Sequence, residues 1–221
     1  MTNYYSTLMT DARLWMARTD ISDEVTASCI RMAEAEIWKR IKTFEMEADT
    51  TLVFTDLDFY ETPVPEDWLS FRRVRSDLQN PRCSYVSPDV FSTLNNSLVS
   101  EHERLFEVGS LVYTVEGGMV KINQPTGSGV TITLYTSYFR RFNFPNITPT
   151  EETNPVLELH YDLYMHATLM KLWEFADEDS EIAKYEKKMD KAIAQIMEFE
   201  RTRRTPSSGP LIRRSSTRPL A

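Results

Sequence analysis

Two cysteines, three histidines and six glycines in 221 residues remove several kinds of chemistry at the outset. Cys29 and Cys83 are too few for a disulfide framework, and neither stands at a metal-ligand spacing from a second ligand. With so little glycine, a Gly-rich phosphate cradle is excluded. No Gly-Lys-Ser/Thr loop, Gly-x-Ser-x-Gly elbow or Cys-x-x-Cys pair occurs either. No apolar run approaches the ~18 residues that a membrane span needs. The first residues, MTNYYSTLMTDARLWM, lack the basic n-region of a secretory signal. These absences predict a protein of a reducing, aqueous compartment with no cofactor, no bound metal, no membrane partner and no enzymatic activity. Apolar material is not lacking: 41% of the chain is hydrophobic and 11% aromatic, enough for a real core. The length suits one domain, or one core carrying a sizeable insertion.

Acidic residues are absent from one stretch, and that absence is informative. Residues 201–221 carry Arg201, Arg203, Arg204, Arg213, Arg214 and Arg218 with no Asp or Glu, among three prolines and four serines. The other 200 residues carry 33 acids against 19 bases, a net charge of −14. A segment with few apolar groups and repeated prolines does not build a core or continue a helix. It reads as a disorder-prone basic arm on an acidic body, ordered by a partner. The acidic body itself argues against a duplex-coating protein.

Hydrophobic periodicity divides the body into helical ends around a β-rich middle. Leu8, Ala12, Trp15 and Met16 predict a short amphipathic helix. Ser22 is placed to cap the next helix, with Asp23 and Glu24 in its first turn. That helix shows a stripe of Val25, Cys29, Met32, Ala33, Ile37, Ile41 and Phe44, which predicts a buried Cys29. Arg31, Glu34, Lys39 and Lys42 fall elsewhere on its surface, and Glu36 and Arg40 form an i,i+4 pair. Strands are predicted over 51–54, 70–75, 105–108, 111–115, 119–122 and 130–138, with an extended turn at Pro63-Val64-Pro65. Gly117-Gly118 is a strong hairpin signal, because both glycines tolerate positive φ. The sequence order suggests an antiparallel meander. Asn154 and Pro155 then restart helix as cap and first residue, apolar on almost every side to Phe175. A last helix carries Ile182, Tyr185, Met189, Ala192, Ile196 and Phe199 on one stripe, after the acidic break at Asp177-Glu178-Asp179.

Each candidate site has a plainer reading that outweighs it. Asp56 and Asp58 follow an apolar strand at the spacing of a phosphatase nucleophile and its acid/base partner. The bulky Phe59-Tyr60-Glu61 that follows and the missing βαβ alternation favour turn carboxylates instead. His160 and His166 diverge by about 120° on a helix, and His102 stands alone between two glutamates, so structural or surface roles are favoured. The acidic cluster 177–181 reads as a solvated helix junction rather than a cation site. Trp15, Trp38, Trp68 and Trp173 could stack on bases, but Trp38 and Trp173 lie within apolar helical patterns. Arg72, Arg73, Arg75, Arg140 and Arg141 are the body's basic clusters, and ion pairs within or between subunits are favoured over phosphate contacts.

Several strings, in this order, resemble the adaptor or head–tail connector proteins of tailed phages, especially short-tailed ones. They are Ile30 to Ile37 (IRMAEAEI), Thr62 to Trp68 (TPVPEDW), Tyr85 to Phe91 (YVSPDVF), Gly117 to Pro125 (GGMVKINQP), and Asn154-Pro155 with His160 to Tyr164 (HYDLY). The resemblance covers roughly residues 20–200; His160 departs from it, standing where the family often has an aromatic or small residue. It implies an α+β fold, mainly α. The helical core comes from residues 1–48 and 150–200, the antiparallel β-rich subdomain 49–149 is inserted into it, and the basic arm 201–221 follows. It further implies a virion protein at the head–tail junction, assembled in the host cytoplasm. Such a protein forms a homo-oligomeric ring, commonly of twelve copies, docked beneath the portal protein. It attaches a tail or nozzle protein, and genomic DNA passes through it without specific binding. The arm, with its six arginines, would reach the portal. The alternative kept open is a nucleic-acid-binding packaging accessory whose arm grips phosphate directly.

Overall fold

The computed structural model describes residues 4–18, 20–55, 60–77, 83–96, 111–123, 131–142 and 152–204. Their elements run α1 (Tyr5–Met16), α2 (Asp23–Arg40), a single 3-10 turn (Phe44–Met46), β1 (Glu47–Phe54), β2 (Glu61–Pro63), β3 (Trp68–Ser76) and β4 (Cys83–Tyr85). Then come α3 (Pro88–Asn96), β5 (Leu111–Glu116), β6 (Met119–Ile122), β7 (Ile132–Arg140), α4 (Pro155–Leu159), α5 (Tyr161–Phe175) and α6 (Asp179–Arg204). This is the expected α+β composition, mainly α. The expected strand at 105–108 lies outside the described residues. The chain divides into two compact units, one of residues 1–9 and 44–159, the other of residues 10–43 and 160–221.

The first unit holds both sheets. β7 runs down the middle of a three-stranded antiparallel sheet ordered β1-β7-β3, and a second sheet is ordered β2-β6-β5-β4. The order is therefore not the meander suggested by sequence proximity, and the short β4–β5 pair is parallel. Period-two alternation on β7 does hold: Ile132, Leu134, Thr136 and Tyr138 are buried while Thr133, Tyr135 and Ser137 are half-buried or exposed. Its buried face joins Leu52 and Phe54 of β1 with Leu111, Tyr113, Val120 and Ile122 of the other sheet in one apolar cluster. Gly117 (φ 59°) and Gly118 (φ 79°) form the two-residue loop of the β5–β6 hairpin, both in the left-handed region. α3 follows a signal that sequence reading passed over. Pro88 is its first residue, acidic Asp89 follows, and the amide of Phe91 donates to the carbonyl of Ser87 at 2.9 Å.

Asn154 is a buried node of the same unit. Its Oδ1 accepts from the amides of Val156 (3.0 Å) and Leu157 (2.8 Å), capping α4. Its Nδ2 donates to the Tyr5 hydroxyl at 2.6 Å, while the Tyr5 amide donates to the carbonyl of Glu152 at 3.1 Å. The helix expected from Asn154 to Phe175 is interrupted: His160 (φ −128°, ψ 52°) leaves helical geometry, dividing it into α4 and α5.

The second unit is helical. α5 lies against both α2 and α6, and its Leu163, Tyr164, Ala167, Thr168, Leu169 and Leu172 are wholly buried. Ser22 caps α2 as expected, its hydroxyl accepting from the amide of Val25 at 3.3 Å. The expected α2 stripe is buried at Cys29, Ala33, Ile37 and Ile41, and the buried face extends beyond it. Ala27, Ile30, Glu34 and Trp38 are inside, whereas Met32 is 48% exposed. Glu34, expected on the surface, is buried and accepts a hydrogen bond from the Tyr164 hydroxyl at 3.2 Å. A phenol in an apolar helix needs a partner when buried, and this carboxylate supplies one. Arg40 pairs with Asp190 of α6, not with Glu36, which pairs with Lys39 at 3.7 Å. Along α6, Tyr185, Met189, Ala192 and Ile196 are buried as expected, but Phe199 is 59% exposed.

Leu163→Ala and Leu169→Ala are each expected to cost about 2–5 kcal/mol, as cavity-forming changes at fully buried positions. Chemical denaturation checks this, and midpoints unchanged from wild type contradict the packing described. Glu34→Ala, which removes the carboxylate that accepts from the buried Tyr164 hydroxyl, is expected to cost about 1–3 kcal/mol by the same measurement.

Candidate interaction surfaces

Helix α6 continues to Arg204, so Arg201, Arg203 and Arg204 lie on its last turn rather than in an arm that starts at residue 201. Two local pairs favour that extension. Arg201 meets Glu198 at 2.8 Å, and Arg203 approaches the buried Glu200 at 3.7 Å. Bases at a helix C-terminus also complement its dipole, and the prolines begin only at Pro206. Arg213, Arg214 and Arg218 lie outside the described residues, as do Asp56, Asp58 and His102.

Of the body's arginines, three are engaged on the sheet-bearing unit. Arg72 pairs with Glu47. Arg140 stacks over the Phe142 ring at 4.8 Å. The Arg141 guanidinium donates to the carbonyl of Glu66 at 3.1 Å, and its amide donates to that of Asp67 at 2.7 Å. Arg73 and Arg75 are different. They project from β3 onto the outer face of the three-stranded sheet, exposed, opposite Ser137 and Tyr135 of β7. β1 completes that face with Asp49 and Thr51, and the three strands line an open groove of about 370 Å³. Among the described residues neither arginine forms an ion pair. Within one chain, and among the described residues, Arg72 is the member of the cluster that forms an ion pair.

Exposed apolar side chains mark the second unit. Leu14 (70%), Trp15 (61%) and Phe175 (61%) are largely in solvent at the ends of α1 and α5. Trp15 was expected on the buried stripe of α1, where Leu8, Ala12 and Met16 do lie inside. Trp38 packs as expected, edge-on to Tyr164 with ring centroids 6.2 Å apart. The turn after Phe175 closes α5 with paired backbone bonds. The Glu178 amide donates to the Trp173 carbonyl at 3.2 Å and the Asp177 amide to that of Glu174 at 3.3 Å. Asp177 occupies the left-handed position (φ 58°), which Asp tolerates better than most residues. The turn leaves Asp177, Glu178 and Asp179 exposed.

Reactive groups are muted. Burial pushes the Cys29 and Cys83 thiols up to about 11, so neither supplies a thiolate near neutral pH. His166 is held below its ordinary value by burial, then by Lys188, with Asp162 opposing. No group of three or more His, Cys, Asp or Glu among the described residues is placed to hold a metal ion. No described helix is long and apolar enough to cross a membrane.

Exposed charged and apolar side chains, rather than converging reactive groups, are what the described residues of both units present. The chain belongs to the SU10 adaptor protein family, a family of phage adaptor proteins, whose model matches residues 3–214. It is accordingly a structural component of a phage particle. No curated protein matches the chain.

Two expectations follow from the titrating groups. At pH 8 the native thiols are expected to react with an alkylating reagent about 100-fold more slowly than after denaturation, reflecting the scarce thiolate; mass spectrometry of the adducts checks this. For His166 the folded value lies below the unfolded one, so the unfolded chain binds more protons. Its contribution is intact above roughly pH 6.5 and is lost as pH falls through the folded value. Thermal midpoints measured from pH 7 down to 5 are expected to fall less steeply for His166→Gln than for wild type.

Proposed function

We propose that this chain forms a closed ring beneath the portal of a phage head, extends the DNA channel and attaches the tail. The observation that carries this reading is the family match. It spans residues 3–214, both units and the basic segment as far as Arg214 together. Identical chains that pair head-to-tail generate a ring when the rotation closes, and twelve copies is the number the family resemblance implies. Arg213, Arg214 and Arg218 carry the charge with which the C-terminal segment engages an acidic surface of the portal. Repetition around the ring multiplies weak individual contacts. The acidic body suits a channel wall along which DNA slides without adhering.

Removal of Pro206–Ala221 tests the arm. The truncated chain is expected to keep the wild-type melting temperature while its capture by portal-bearing heads weakens. That capture is expected to fall with added salt and to survive nuclease treatment, as contact with an acidic protein surface requires. Steeply salt-dependent binding of random duplex, released by nuclease, would instead support a packaging accessory that grips phosphate. Normal yields of infectious particles from the truncated chain would refute a role for the arm.

A further inference from the structure

The outer face of the three-stranded sheet is a groove with two cations that form no ion pair among the described residues. Arg73 and Arg75 stand two residues apart on β3, so about 6–7 Å separates their Cα atoms on the same face. Between and beside them the face offers Tyr135, 55% exposed, and Val53, 49% exposed. Two guanidinium groups with an aromatic and an aliphatic neighbour fit a short acidic segment that also carries an apolar side chain.

The chain contains such a segment. Asp177-Glu178-Asp179 is the only run of three consecutive acidic residues in the sequence. All three are exposed on the turn that closes α5, none forms an ion pair among the described residues, and Phe175 stands 61% exposed just before them. Many other exposed acids are spent locally: Asp20 on Arg18, Asp23 on Arg13, Asp190 on Arg40, Glu174 on Lys171, Glu181 on Lys184. Arg18 lies close enough to feel the field of Glu178. We propose that the Arg73/Arg75 face of one copy receives the Asp177–Asp179 turn, with Phe175, of a second copy. The two patches are different surfaces, so the contact is heterologous and propagates head-to-tail. This inference rests on the ring reading and names the surfaces that would close it.

Duplex DNA is the poorer occupant. Asp49 lies in the same groove, its carboxylate accepting from the Ser137 hydroxyl. The body around the groove carries a net charge of −14. Asp49 stands across β7 from Arg73, and a carboxylate there opposes a continuous run of phosphates more than a short acidic turn that also brings an apolar side chain.

Charge reversal on the full-length chain decides the matter. Variant one carries Arg73→Glu with Arg75→Glu, and variant two Glu178→Lys with Asp179→Lys; all four positions are exposed, and unchanged circular dichroism and melting establish that each folds. Self-association is read by light scattering, free and on portal-bearing heads. Each variant alone is expected to associate about tenfold or more weakly than wild type, because like charges then meet across every contact. Mixed in equal amounts, the two are expected to assemble again, in strict alternation, since both kinds of contact become complementary. Variants that assemble as well as wild type, or a mixture that does not recover, overturn this contact while leaving the ring reading intact. A wild-type chain that stays monomeric even on portal-bearing heads overturns both. Loss of duplex binding by variant one with assembly untouched would mark the face as a phosphate site and also end the proposal.

Discussion

The helical unit is organised by the need to take α5 out of water. A helix apolar around most of its circumference cannot rest one face on a core; it has to be enclosed. α2 and α6 do this, and their own sequences follow from the task. α6 offers a single stripe and leaves its other side charged. α2 turns inward the face that carries small residues, Ala27 and Ala33, with Ile30 and Ile37. The Tyr164 hydroxyl, a polar group that α5 buries here, is met by Glu34, and Trp38 packs edge-on to the same ring. Replacing that carboxylate by an apolar residue would remove the acceptor of this buried hydrogen bond, so the two positions are coupled.

The sheet-bearing unit obeys a different constraint, the pleat. β7 pairs on both edges, and its alternation decides which side chains of β1 and β3 enter the core and which face out. The outward row contains Arg73, Arg75 and Tyr135 because the inward row is occupied by Leu52, Leu134 and Val74. Core packing and surface chemistry here are two consequences of one register.

Local signals were legible in the sequence. Ser22 before two acids, Asn154 before Pro155, Gly117-Gly118 between extended runs and the alternation along β7 each have a short-range cause, and each produced the element it indicates. What could not be read depended on partners distant in the chain. Glu34 looks like a surface residue until Tyr164, 130 positions away, is placed beside it. Strand order failed for the same reason: β1 and β3 are separated in sequence from the β7 that joins them, and no turn signal encodes that pairing. Trp15 and Phe199 continue helical stripes yet end in solvent, because periodicity gives direction around a helix but not how far along it the neighbouring surface extends. The interaction surfaces were half legible. The arginine cluster was visible, but which members were already neutralised required the positions of Glu47, Glu66 and Phe142.

The division of the chain also orders events in time. The unit that carries α5 draws on residues 10–43 and on everything after 159, with the whole of the other unit's strands synthesised in between. At ribosomal rates of about 5–20 residues per second, α2 emerges roughly 8–30 seconds before α6 is finished. Throughout that interval Ile30, Ile37 and Trp38 lack the α5 surface against which α2 packs, whereas the sheets, complete by β7, can already close over their shared cluster. The later unit is therefore the one exposed to misassociation during synthesis, and its folding is timed by the appearance of the last fifty residues. Chains arrested before residue 160 would hold both sheets and an α2 without its α5 cover, an exposed apolar surface of the kind that chaperones bind.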